Sequence, residues 1–137
     1  MPIEGLNHFS VRTPDMKRSR DFYVNVLGFV EGDRPPFPFP GYWLYCGETA
    51  VVHVIGEDPD GEGLQGYLGE RSGGAGAGSL DHIAFSASNL EGVRERLDGL
   101  GVRYTERSVP LLGLIQLFVT DPDGITLELN FPETTSP

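Results

Sequence analysis

Sulfur, histidine and positive charge are all scarce in this chain. The single cysteine, Cys46, excludes an intrachain disulfide. That absence suits a reducing cytoplasm, the expected location, with Cys46 serving as a small core residue. Lys and Arg together number 10 against 20 Asp and Glu, for a formal charge of −10. Such a deficit argues against non-specific binding to nucleic acid or anionic lipid, so neither a nucleic-acid nor a membrane partner is expected. No stretch approaches the roughly eighteen apolar residues of a membrane span. The longest apolar-rich run, Pro110 to Val119, is broken by Gly113 and Gln116. Met1-Pro2-Ile3-Glu4 lacks the basic and apolar regions of a secretory signal. The glycines between Gly73 and Gly78 are not followed by Lys-Ser/Thr and precede a strand, which excludes a phosphate loop.

What histidine there is occupies a repeated pattern. His8 lies in Leu6-Asn7-His8-Phe9-Ser10-Val11 and His82 in Leu80-Asp81-His82-Ile83-Ala84-Phe85. His53 lies in Val51-Val52-His53-Val54-Ile55 and Glu128 in Thr126-Leu127-Glu128-Leu129-Asn130. The first pair is offset by 74 residues and the second by 75. Two copies of one module, each opening and closing on a strand with a potential metal ligand, account for every histidine in the chain.

Local signals repeat in the same order. In the first copy a strand over 4–13 ends at Pro14, Asp15 caps a helix over 16–26, and Gly28 stops it. Phe22, Tyr23, Val26 and Leu27 form the apolar face of that helix. Strands over 29–33, 42–46 and 50–55 follow, and Pro35, Pro36, Pro38 and Pro40 mark a loop unfit for a sheet interior. In the second copy a strand over 80–87 precedes a helix capped by Asn89 and stopped by Gly101, with Val93, Leu97 and Leu100 at helical spacing. Strands over 102–106, 114–120 and 125–131 complete it, the last two joined by the turn Asp121-Pro122-Asp123-Gly124. The fold class is α+β: two βαβββ modules, residues 4–56 and 80–132, forming a cupped mixed β-sheet in one domain over 1–137. The Gly-rich connection 57–79 is expected to be a linker. Its Asp58-Pro59-Asp60-Gly61 is out of phase with the repeat and is expected to be an independent turn.

Strand alternation sorts the chemistry by face. Leu6, His8, Ser10 and Arg12 share one face of the first strand, opposite Phe9 and Val11. His82, Ala84 and Ser86 oppose Ile83 and Phe85. Thr126, Glu128 and Asn130 oppose Leu127, Leu129 and Phe131. The apolar faces should pack on the helices and the polar faces should line a cavity. His53 departs from this, since its face-mates Val51 and Ile55 are apolar. A lone strand histidine is usually a hydrogen-bonded structural residue; three at repeated positions point to a shared site. Imidazole nitrogens with one carboxylate suit Fe, Ni, Co, Mn or Zn better than Ca or Mg. A six-coordinate ion so held leaves two adjacent positions for two neighbouring substrate oxygens, and acts there as a Lewis acid towards an enolate or enediolate.

These motifs resemble the vicinal oxygen chelate superfamily, which includes glyoxalase I, methylmalonyl-CoA epimerase, extradiol dioxygenases, and fosfomycin and bleomycin resistance proteins. The resemblance spans nearly the whole chain. It is carried by His8 with Arg12, Ser19-Arg20-Asp21-Phe22-Tyr23, Leu27-Gly28-Phe29, Asp81-His82-Ile83-Ala84-Phe85 and Asp121 through Glu128. Arg34-Pro35-Pro36, Gly41-Tyr42-Trp43-Leu44 and Val52-His53-Val54 resemble a glyoxalase-I-like subgroup. The resemblance implies one divalent transition metal (Fe, Ni, Co, Mn or Zn) on His8, His53, His82 and Glu128. It also implies a small-molecule substrate and a homodimer whose sites come from paired modules, within one chain or across two.

One position departs from the pattern. His53 stands where glyoxalase I has a glutamate, so Glu128 or His53 is the catalytic group that moves a proton on carbon, and His53 is either a ligand or an acid/base. As a ligand it favours a glyoxalase-like lyase or isomerase. As a free base it leaves the 2-His-1-carboxylate set of an Fe(II) dioxygenase acting on a catechol-like substrate. Ser10, Arg12, Ser86 and Asn130 are candidate polar substrate contacts. A third possibility is a non-catalytic resistance protein that holds a drug in a groove of Phe37, Phe39, Tyr42, Trp43 and Tyr45, whose simpler reading is ordinary packing.

Overall fold

The computed structural model describes residues 2–56, 78 and 80–133. The chain divides into two compact units, Met1–Ala75 and Gly76–Pro137. Residues 57–77, which contain the Asp58-Pro59-Asp60-Gly61 turn and most of the expected linker, lie outside the described residues.

The first unit runs β1 (Phe9–Thr13), α1 (Met16–Asn25), β2 (Val30–Gly32), β3 (Gly41–Cys46) and β4 (Thr49–Gly56). Its sheet has the order β1-β4-β3-β2, with β1 parallel to β4 and the other pairs antiparallel. The Asp15 carboxylate accepts from the Arg18 amide at 3.0 Å and caps α1. Gly28, at φ +78°, ends the helix and lets the Phe29 N–H return to the Tyr23 carbonyl at 3.1 Å. Tyr23 is fully buried among Phe9, Phe22 and Phe29, and Val11, Leu44, Val52 and Val54 of the sheet are buried with it in the core. Each such side chain contributes about 1.5–3 kcal/mol of burial.

The second unit runs β5 (Ile83–Ser86), α2 (Leu90–Gly99), β6 (Thr105–Val109), a 3₁₀ turn (Pro110–Leu112), β7 (Leu114–Thr120) and β8 (Thr126–Pro132). Its order, β5-β8-β7-β6, repeats that of the first sheet, again with one parallel pair. The Asn89 side chain accepts from the Gly92 amide and caps α2. Leu97, Leu117, Val119, Leu127 and Phe131 form the buried core. Both units therefore have the expected α+β, βαβββ organisation.

Several boundaries differ from the sequence reading for local reasons. β1 starts at Phe9 rather than at 4, because its ladder with β4 begins at Phe9–Val52. His8 thus stands one residue ahead of the strand, and His82 one residue ahead of β5. β6 starts at Thr105 rather than at 102, because the Val102 and Gly101 N–H groups turn back to the Leu97 and Asp98 carbonyls and close α2. Leu100, expected on the apolar face of that helix, is 51% exposed at its C-cap. Cys46 is exposed rather than buried, since it ends β3 beside the Gly47-Glu48 turn. Among the described residues no helix is long and apolar enough to cross a membrane.

Candidate metal centre and its two half-sites

His53 and Glu128 each sit on an inner strand of their own sheet, while His8 and His82 precede an edge strand. On β4, His53 is in register with Ser10 of β1 and Trp43 of β3. On β8, Glu128 is in register with Ala84 of β5 and Phe118 of β7. The two positions are thus equivalent, each flanked by one small and one aromatic residue. The repeated offsets of the sequence correspond to repeated places in the two sheets.

In the first unit the His8 and His53 rings stack with centroids 3.7 Å apart and 14° from parallel. Trp43 stacks on His53 as well, at 4.2 Å and 12°. The His53 Nε2–H donates to the Ala50 carbonyl at 3.1 Å, which leaves the lone pair on Nδ1. Burial, and then the neighbouring His8, hold the His53 imidazole down at about 4. His8 donates its own Nδ1–H to Asn7 Oδ1 at 2.7 Å, so Nε2 carries its lone pair.

The second unit repeats this device. His82 Nδ1 donates to the Asp81 carboxylate at 2.7 Å, and its Nε2 faces Glu128 Oε1 at 3.4 Å. The Asp81 hydrogen bond is the main cause that raises the His82 pKa. A lone pair on Nε2 facing a carboxylate oxygen at that distance is repulsive unless a proton or a cation stands between them. Nδ1 held by an outer oxygen with Nε2 free is the usual arrangement of a metal-ligating histidine. The donor chemistry of His8, His82 and Glu128 therefore fits a divalent transition metal. The donors occur in pairs, and among the described residues no three of His, Cys, Asp and Glu form a ready cluster.

Glu128 is only 7% exposed, and its carboxylate is held by a hydrogen bond. Asn130 Nδ2 donates to Oε2 at 2.8 Å, and Asn130 Oδ1 accepts from Gln116 Nε2 at 3.0 Å. Gln116 Oε1 in turn accepts from Arg107 Nε at 3.0 Å and Nη2 at 2.6 Å. Asn130, expected to contact substrate, thus has both ends of its amide engaged on Glu128 and Gln116. Arg107 and Gln116 escaped the sequence reading. Strand alternation on β6 and β7, together with their register, is the signal that places them beside Asn130.

The first unit also holds a cavity of about 610 Å³. His8, Ser10, Arg34, Phe37, Trp43 and His53 are among the residues that line it. Phe37 and Phe39 stack at 5.4 Å, with the Arg34 guanidinium 5.2 Å and 5.1 Å from their ring centroids. Of the five aromatics considered for a groove, Phe37, Phe39, Trp43 and Tyr45 line the cavity, and Phe39 is at the same time buried in a core cluster with Ile55 and Phe37. Tyr42 does not; it lies one residue out of phase, under Arg20. Arg12 and Ser86 occupy matching places on β1 and β5, opposite Ile55 and Asn130.

Residues 5–129 match the family model of the Glyoxalase/Bleomycin resistance protein/Dioxygenase superfamily. The chain belongs to this superfamily. It is 32% identical over 130 residues to a lactoylglutathione lyase of Salmonella typhimurium, covering 90% of each. It is 29% identical over 131 residues to Glyoxylase I 4 of Arabidopsis thaliana, covering 93% of this chain and 70% of that protein. The crystal structure of a glyoxylase/bleomycin resistance protein/dioxygenase domain from Frankia sp. EAN1pec superposes with a TM-score of 0.71 at 20% identity, over 98% of this chain and 96% of that one. Superfamily relatives named as epimerases and dioxygenases also match, so membership decides the fold and leaves the reaction to the site.

Proposed function

We propose that the protein is a divalent-metal-dependent lyase or isomerase, glyoxalase-I-like, acting on a small substrate through two vicinal oxygens. His8, His82 and Glu128 hold the metal, joined by His53 through Nδ1 or with His53 as a base beside it, and the two half-sites are supplied by one chain or by two copies in a homodimer. The observation that carries this reading is His82 Nε2 facing Glu128 Oε1 at 3.4 Å while Asp81 holds Nδ1. When bound, the ion supplies Lewis acidity to two adjacent substrate oxygens.

The remaining roles belong to the chain itself. Glu128 or His53 moves a proton on substrate carbon, and Nδ1 carries the lone pair for this role on His53. Trp43 and His8 fix the plane of its ring. Ser10, Arg12 and Ser86 contact polar groups of the substrate, while Asn130 holds Glu128. The aromatic cavity receives the apolar part of the substrate and excludes water from the proton transfer.

A second reading takes His53 as a free acid/base beside a 2-His-1-carboxylate set: an extradiol-type Fe(II) dioxygenase of a catechol-like substrate. The aromatic cavity equally suits a non-catalytic protein that holds a drug.

Elemental analysis after purification without added metal, followed by assays, separates these readings. About one transition-metal ion per His8/His82/Glu128 set, with turnover of a hemithioacetal in the absence of oxygen, is the expected result. Fe(II)-dependent oxygen uptake with catechols replaces it by the dioxygenase, and stoichiometric binding of an unchanged drug replaces it by sequestration. No metal even after reconstitution, or full activity in His8→Ala and Glu128→Ala, overturns the assignment.

A further inference from the structure

The hydrogen bonds behind Glu128 have a direction. Arginine can only donate, and two N–H groups of Arg107 converge on a single atom, Gln116 Oε1. Gln116 must then present its amide nitrogen to the next residue, and does so to Asn130 Oδ1. Asn130 in turn must present its nitrogen to Glu128 Oε2. The opposite polarity would set donor against donor at the Arg107 end and acceptor against acceptor at the Glu128 end. Arg107, Gln116 and Asn130 form one cross-strand row through β6, β7 and β8, and Gln116 is buried, so water does not replace a lost link.

The repeat provides an internal control. In the first sheet the place of Asn130 is taken by Ile55 and that of Gln116 by Gly41, in the same register. The module folds without the polar row. The row is present only behind the carboxylate.

We propose that Arg107 is a positioning residue for the metal centre: through Gln116 and Asn130 it locks Glu128 with Oε2 occupied and Oε1 turned to His82, so that the carboxylate binds its ion through one oxygen. This rests on the assignment of Glu128 as a ligand. Phe118, in register with Glu128, lies under the Arg107 guanidinium at 5.5 Å and holds its start point.

The test uses the full chain, with Co(II) as the probe metal and side-chain amide NMR of the metal-free protein. In Arg107→Met the Asn130 amide protons lose protection from solvent exchange, and Co(II) affinity falls about ten- to a hundredfold. Arg107→Lys, still a pure donor, retains most of both. Gln116→Leu cuts the row at its middle and gives the same two losses. With Asn130→Ala already in place, Arg107→Met changes Co(II) affinity by less than about twofold. Unchanged Asn130 protection in Arg107→Met, or an undiminished effect of that substitution in the Asn130→Ala background, overturns the proposal. If the wild-type chain takes up no Co(II), the metal reading fails, and the lock is decided by the NMR measurement alone.

Discussion

The imidazoles of His8 and His53 lie face to face, 3.7 Å apart, within the first unit. Stacked rings resist a shared positive charge, and burial adds to that resistance at His53. The second unit does the reverse, placing His82 between two carboxylates. The His53 and His82 imidazoles are thus tuned in opposite directions.

In the metal-free protein the His53 ring is therefore expected to titrate at about 4 and the His82 ring above its ordinary value, measured by the NMR shifts of their ring protons. Asp81→Asn should lower the His82 midpoint. Between 6.5 and about 4 the unfolded chain holds a proton at residue 53 that the folded chain refuses. His53 thus contributes stability that is intact above 6.5 and is lost as pH falls towards 4. Denaturant midpoints should fall across that window, less steeply in His53→Phe.

Trp43 is the sole tryptophan and stacks on His53, so its fluorescence reports on that ring. Protonating the imidazole should change the emission with a midpoint of about 4. His53→Ala should abolish the step. A step at the ordinary histidine pKa would show that the ring is not held as described.

The turn that feeds β8 is expected to be a strong determinant of stability. Asp121 is buried, and its Oδ1 accepts from the Asp123 and Ile125 amides at 2.9 and 2.8 Å. Asp121→Ala strands both donors, at a cost of about 2–4 kcal/mol. Denaturant unfolding measures the loss directly. Because β8 carries Glu128, metal uptake should weaken in the same variant.

The helix caps are expected to respond unequally. Asp15→Ala should cost about 1 kcal/mol in denaturant unfolding, the ordinary value for a lost N-cap. Asn89→Gly should cost only a few tenths, because Asn89 sits at φ +59°, a conformation that glycine adopts freely.

Much of this was legible in the sequence because it rests on periodicity and punctuation. Asp15, Asn89, Gly28 and Gly101 bound the helices, and β7 spans the expected 114–120. The apolar face of β8 is the buried one. Strand starts were less legible, since β1 begins where a partner strand is available and not where its alternation begins. The row behind Glu128 was illegible for a related reason. Arg107 and Gln116 are ordinary residues until the β6–β7 register sets them side by side. Cys46 misled because a small apolar residue next to a hairpin turn has no layer above it.

The shared register of His53 and Glu128 bears on how such a protein acquires new chemistry. Each is the middle of a strand with a small neighbour on one side and an aromatic ring on the other. On this common frame one place carries an imidazole and the other a carboxylate. The duplicated module offers two matching positions that have diverged on one scaffold, and only the second carries a polar row behind it.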